Sequence, residues 1–252
     1  MASPSALQGA PAADQERPKV VETTFKSVDA TLAAQWDFPA VSPAPLVVMV
    51  PAAGKIDRHG WHPELGEDPG DGIYARFARQ LVQAGFAVFR FDAPGAGRSG
   101  RGFYATERSN ALEAYRRAVD HARIDSERVF LFGHSSGTDV IAGIYPRFES
   151  IAIPAGVVLM SNLVGEGSVT RIAAPTLIVV GGKDPDDRYQ FGEFAAEARG
   201  RVEGKKLDTE LMVVKNAQHA LLSALGSSGR EGVSLDPSAT KTVLRWLMQK
   251  RG

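Results

Sequence analysis

Six short, predominantly apolar runs punctuate the chain: "LVVMV" (46–50), "FAVFRF" (86–91), "RVFLF" (128–132), "GVVLM" (156–160), "TLIVV" (176–180) and "LMVV" (211–214). They are rich in β-branched and aromatic residues and lack polar alternation, the pattern required of strands covered on both faces. Most of the segments between them carry helical spacing. Ile73, Phe77 and Leu81 recur at i, i+4 and i+8, with Gly85 placed to end a helix. Leu112, Tyr115 and Val119 mark a second helix, and Asp236–Pro237 offers an N-cap and first-turn proline ahead of Val243, Leu244 and Leu247. Strands alternating with helices predict an α/β fold with a mostly parallel central sheet and helices on both faces. Upstream, "ETTFKS" and "ATLAAQWDF" alternate more and predict an antiparallel pair at the sheet edge, making about eight strands. With no internal repeat and no second composition regime, residues 19–252 are expected to form one domain behind a disordered lead-in, residues 1–18.

Charge and composition narrow the function classes. Lys plus Arg equals Asp plus Glu at 29 each, so no net field draws the chain to nucleic acid or anionic lipid. Cysteine is absent, which removes disulfides, thiolate metal sites and a cysteine nucleophile together. The longest apolar runs fall far short of the roughly 20 residues a membrane span needs. "MASPSALQGAPAADQERP" lacks the basic start and apolar core of a secretory signal, which makes the cytoplasm the default expectation. A mature secreted chain would read the same way. Composition is silent on oligomeric state.

Two glycine motifs compete as sites. "GAGRSG" (95–100) matches the G-x-G-x-x-G dinucleotide fingerprint, but that motif must open a helix and be followed by an acidic residue at the tip of the next strand. Here "RGFYATERSN" follows, without helical spacing until about Ala111, and the next strand ends in "FGHSSG"; a turn out of the fourth strand is expected instead. Gly133-His134-Ser135-Ser136-Gly137 is a full G-x-S-x-G between the strand "RVFLF" and the apolar-periodic Val140, Ile141 and Ile144. That is the setting of a nucleophile elbow, a strained strand-to-helix turn that displays a serine. Spacing singles out Ser135. The residue after the nucleophile gives its backbone N–H to the oxyanion hole, so Ser136 is expected to act through its amide.

A serine hydroxyl needs an imidazole to take its proton and a carboxylate to orient that imidazole. Of the five histidines, His121 falls inside the helix-like "AYRRAVDHAR", and His134 is next door to the serine on too sharp a turn to serve it. Only His219, in "VVKNAQHALL", follows the last strand. Asp184, in "VVGGKDPDD", follows the strand before it and gives the order Ser, Asp, His; Asp186 and Asp187 remain alternatives.

With these residues in place, the chain resembles the α/β-hydrolase family over nearly all of its length after the lead-in. "GHSSG" is similar to the family's elbow, "GGKDPDD" to its acid loop, "NAQHAL" to its histidine loop and "DAPGAGRSG" to its glycine turn after the fourth strand. "VPAAGKIDRHG" resembles a subset of esterases and peptidase-like hydrolases with a glycine-rich turn followed by Asp-Arg, from which "AAGK" departs; by position Ala53 would give the second oxyanion amide. The family commonly inserts a cap after the sixth strand, but "SNLVGEGSVTRIAAP" is too short for one, so an open site is expected. The loop 54–72 is the expected pocket wall, with Trp61 and His134 as candidate pocket residues. Its His59, His62, Glu64, Glu67 and Asp68 allow a metal site to be considered, though Asp-x-His-x-x-His has no established ligand spacing.

The resemblance implies a serine hydrolase for a small-molecule carboxylic ester or thioester, forming an acyl-enzyme on Ser135 and needing no cofactor and no metal. Acyl transfer, lactone opening and peptide cleavage would use the same groups. A ligand-binding member without hydrolysis is the alternative from another class.

Overall fold

The apolar runs pair edge to edge in one sheet. In a computed structural model, which describes residues 17–52, 54, 56–60, 71–102, 106–184, 189–204, 206–219, 221–224 and 233–252, its strands are β1 (Lys19–Lys26), β2 (Thr31–Phe38), β3 (Ala44–Val50), β4 (Ala87–Phe91), β5 (Ile124–His134), β6 (Gly156–Met160), β7 (Thr176–Gly181) and β8 (Thr209–Val214). Their order across the sheet is β1-β2-β4-β3-β5-β6-β7-β8. β1 and β2 are antiparallel, with Lys19 opposite Phe38 and Lys26 opposite Thr31, and β2 runs antiparallel to β4. From β4 to β8 every neighbouring pair is parallel. Parallel strands put all their C-terminal ends on one edge of the sheet, where ligands of open α/β folds bind. The edge pair behaves unequally: β1 alternates toward solvent, whereas β2, between two neighbours, is buried at every residue after Thr31.

Helices cover both faces. On one side α1 (Ile73–Gln83) and α6 (Pro237–Lys250) pack Phe77, Leu81, Val243, Trp246 and Leu247 against Val47, Met49, Phe130 and Phe132. On the other, α2 (Glu107–Val119) and α3 (Ser136–Glu149) pack Leu112, Tyr115, Ile141, Tyr145 and Phe148 against Leu46, Val48, Val129 and Leu131. Successive residues of β5 thus enter opposite cores, which is why Val129–Phe132 has no polar position. α1 ends as expected, with Gly85 at φ +89 just beyond it. In α6 the Asp236 side chain accepts from Ser238 N and Ala239 N, a conventional N-cap ahead of Pro237. α2 starts a turn earlier than the apolar spacing indicates, because its first turn, "ERSN", is polar throughout and carries no apolar period even though Asn110 is buried. α3 departs from helical geometry at Ile144, two residues before Pro146, which lacks an N–H for the helical ladder.

The connection from β6 to β7 holds only the one-turn α4 (Glu166–Val169), and α5 (Gln190–Gly200) then packs beside β7 and β8. Arg199 of α5 is wholly buried and fastens this region by donating to the carbonyls of Val169, Ile172, Ala174 and Asp208 and to Thr209 Oγ1. Burial pulls its guanidinium down to about 10, so it stays charged at neutral pH. A two-stranded ribbon, β9 (Leu222–Ala224) with β10 (Val233–Leu235), precedes α6. Among the described residues no helix is long and apolar enough to cross a membrane.

A second buried polar cluster explains "DAPGAGRSG". Asp92, fully buried, accepts from Arg58 N at 2.7 Å, Arg58 Nη1 at 2.9 Å and Arg98 N at 2.7 Å. Arg90 donates to Arg58 O at 2.7 Å and pairs with Asp37 at 2.9 Å. Residues 95–100 therefore form a turn that wraps Asp92, with no helix at its end. The cluster anchors the start of the loop after β3.

His121 has a structural place: its ring lies 4.6 Å from Trp36 and 4.9 Å from Phe38, and its Nδ1 accepts from Arg123 N at 3.2 Å. Burial, aided by Arg117 and Arg123, holds it below the ordinary histidine range, and burial with Arg90 does the same for His59. A depressed histidine binds a proton more readily when unfolded, so stability is full above the unfolded value of about 6.5 and declines as pH falls below it. Urea midpoints measured between pH 7.5 and 5.5 should therefore drop, and His121→Gln should flatten that drop; an unchanged slope would contradict this placement.

Candidate active site

The elbow is built by close approach. Ser135 takes φ 52 and ψ −121 between β5 and α3, a conformation costly for a residue with a Cβ. It is held there by its neighbours: Ser135 N donates to Met160 O at 2.9 Å, and Ser135 O accepts from Thr138 N at 2.9 Å and from Thr138 Oγ1 at 2.6 Å. Gly137 lets the first turn of α3 lie against the end of β3, since a Cβ there would collide with the carbonyls of Val50 and Pro51. Ser136 is the first residue of α3, directly after the elbow serine.

Asp184 and His219 come from the loops after β7 and β8. These loops are stitched together, with Gly182 N donating to Val214 O and Lys183 N to Ala217 O, each at 2.9 Å. Gly181 permits the approach, because a Cβ there would strike the carbonyls of Ala217 and Gln218. His219 Nδ1 lies 2.6 Å from Asp184 Oδ2, and His219 Nε2 lies 3.0 Å from Ser135 Oγ. A carboxylate only accepts, so Nδ1–H donates to Asp184 and leaves Nε2 to accept from the Ser135 hydroxyl. The Asp184 side chain is nearly inaccessible while His219 keeps a little exposure, which places the acid behind the base and the base at the surface of the site.

Three of the residues expected from the sequence are therefore in one hydrogen-bonded line. His134 is not beside them in an open pocket. It is 4% exposed, and its Nδ1 lies 2.9 Å from the Tyr74 hydroxyl. As the last residue of β5 it points into the layer under α1, since successive side chains of a strand alternate faces. Ala53, Trp61, Asp186 and Asp187 lie outside the described residues, as do His62, Glu64, Glu67 and Asp68. Among the described residues no group of three or more acidic or histidine side chains is placed to hold a metal ion.

Sequence reasoning passed over a recess beside the end of β3, lined by Val50, Pro51, Ala52, Phe91, Pro94 and Val140, with Glu107 and Asn110 as its polar members. Burial, with Asp139 nearby, raises the Glu107 carboxyl above its usual range. Glu107 and Asn110 stand in a segment without periodicity, so nothing in the sequence marked them.

The elbow's geometry predicts the effect of filling it. Gly137→Ala should force α3 away from β3, lowering stability by about 1–3 kcal/mol in urea denaturation. It should also displace Ser135 from His219, at a cost of up to about 10²-fold in any reaction that uses the pair. A variant with wild-type stability would mean that the approach is looser than the carbonyl positions imply.

Residues 71–169 match the family described as serine aminopeptidase, S33. No curated protein matches the chain. Among solved structures, it superposes on the α/β hydrolase GrgF from Penicillium sp. sh18 with a TM-score of 0.67 at 12% identity, covering 92% of this chain and 98% of that one. Dienelactone hydrolase from Anabaena variabilis gives a TM-score of 0.64 at 16% identity, covering 93% and 97%. Est1E from Butyrivibrio proteoclasticus, solved with ferulic acid bound, gives 0.64 at 14% identity, covering 90% and 96%. The resemblance read from "GHSSG", "GGKDPDD" and "NAQHAL" is thus borne out at the level of the whole sheet: the chain has the α/β-hydrolase fold.

Proposed function

We propose that the protein is a serine hydrolase that cleaves carboxylic esters or thioesters of small molecules through an acyl-enzyme on Ser135. The observation that supports this is the unbroken line from Ser135 Oγ through His219 to Asp184. Ser135 Oγ attacks the carbonyl carbon as its proton passes to His219 Nε2, and Asp184 stabilises the imidazolium that forms. The backbone N–H groups of Ser136 and Ala53 receive the oxyanion. As the tetrahedral species collapses, His219 returns the proton to the leaving alkoxide or thiolate. Water, activated by the same imidazole, then attacks the acyl-enzyme and releases the acid and Ser135. An esterase with bound ferulic acid and a dienelactone hydrolase among the structural neighbours fit this class of substrate. The matched serine aminopeptidase family favours one second reading, peptide cleavage by the same groups.

A fluorophosphonate probe with peptide mass spectrometry tests the assignment. Wild type and Ser136→Ala should label on Ser135, whereas Ser135→Ala should not label and should lose up to about 10⁶ in turnover. Asp184→Asn should lose about 10⁴, because the imidazole then adopts the wrong tautomer. A folded protein that never labels would favour a binding role, and an Ser136→Ala variant that is unlabelled would shift the elbow by one residue. Paired ester and amide substrates of one acyl group separate the two hydrolytic readings.

The short β6–β7 connection leads to a second expectation. With only α4 between these strands, this connection adds little cover over the leaving group, so aryl and alkyl esters of one acid should be cleaved with rates within about 10²-fold of one another. Rejection of all but one leaving group would point to the loop 54–72 as a lid.

A further inference from the structure

Tyr74 occupies the first turn of α1 and is 2% exposed, yet its hydroxyl meets both the loop after β3 and the end of β5. It accepts from Ala52 N at 3.1 Å and lies 2.9 Å from His134 Nδ1, with the two rings edge to face at a centroid distance of 5.7 Å. Ala52 immediately precedes the residue assigned the second oxyanion amide. His134 immediately precedes Ser135, and Ser136 follows. The backbone of Tyr74 adds a third tie, since its N–H donates to His59 O at 3.0 Å. One residue thus holds the loop after β3 at Ala52 and at His59 and links it to the elbow.

The Tyr74 hydroxyl can serve both neighbours at once. A backbone N–H only donates, so the phenol oxygen accepts from Ala52, and the phenol O–H is free to donate to His134 Nδ1 when that nitrogen carries no proton. Burial drives the Tyr74 hydroxyl far above its ordinary range, which keeps it a donor at any working pH.

We infer that Tyr74 is a positioning residue which, through Ala52 and His134, fixes the start of the loop after β3 against the elbow and so aligns the amides proposed above to receive the oxyanion. The inference rests on the acyl-enzyme reading above. It has a distinct energetic signature: a group that aligns the amides acts on the tetrahedral species more than on the bound substrate. A group that merely fills the core would affect both alike or neither.

Tyr74→Phe removes the hydroxyl and keeps the ring. With an aryl acetate as substrate, kcat/KM should fall about 10–10²-fold, the scale of a displaced catalytic contact. Affinity for an aryl trifluoromethyl ketone, whose carbonyl carbon bonds Ser135 Oγ to give an oxyanion as the proton moves to His219, should fall by the same factor. Affinity for the corresponding alcohol, which forms no oxyanion, should change by less than about twofold. Should Tyr74→Phe fail to fold, His134 carries the test. His134→Asn places an acceptor oxygen near the position of Nδ1 and should retain activity, whereas His134→Leu should lose ketone affinity and kcat/KM together. An unchanged kcat/KM in Tyr74→Phe, or a loss of kcat/KM without loss of ketone affinity, overturns the inference; so does a His134→Leu variant equal to His134→Asn. These results are separable from failure of the acyl-enzyme reading itself, which would appear as a wild-type protein that neither labels on Ser135 nor turns over ester.

Discussion

The first turn of α3 lies directly on the end of β3, and much else at the site follows from that contact. Gly137 sits where no side chain can be accommodated between the helix and the carbonyls of Val50 and Pro51. The approach leaves Ser135 in a backbone conformation that costs on the order of 1–3 kcal/mol, sustained because Met160 of β6 and Thr138 of α3 hold it from two sides. It also brings the loop that follows β3 beside the elbow. Strain at Ser135 and adjacency of the two loops are two results of one packing constraint.

A parallel sheet supplies the remaining geometry. β5, β7 and β8 run in the same direction, so the loops that follow them emerge on one edge, although Ser135 and His219 are 84 residues apart in sequence. Short loops reinforce this placement. The acid and histidine loops share backbone hydrogen bonds, so Asp184 and His219 are located relative to each other before either meets Ser135. Such preorganisation is what electrostatic stabilisation of a transition state requires, because donors and acceptors need not reorganise during the reaction.

Polar groups are buried behind this edge, and the arrangement gives each a task in holding loops. Asp92 collects Arg58 and the turn at Arg98, Arg90 ties Arg58 O to Asp37, Arg199 gathers four carbonyls around α4 and β8, and Tyr74 joins α1 to Ala52 and His134. Replacing one member of a buried charged pair leaves the other uncompensated, typically at 3–5 kcal/mol. The sheet could be built from apolar runs alone. Its irregular loops, which carry the chemistry, are fixed by these hydrogen bonds.

The amino-acid sequence determined the strands of the eight-stranded sheet, most of the helices and the Ser-Asp-His order, because apolar period, turn glycines and the spacing in "GHSSG" are local properties of a chain. It also marked "GAGRSG" as a turn, for the local reason that no helix spacing follows. It was silent where a signal is not local. Arg199 and Tyr74 lie among ordinary helix residues and acquire partners only when distant backbone arrives. The early start of α2 and the three-residue strands β9 and β10 carry too few periodic positions to register. His134 stands between a glycine and a serine in a motif that suggests a pocket; only the tertiary structure turned it under α1, because the pleat of β5 assigns each side chain a face and the packing of α1 decides what that face meets.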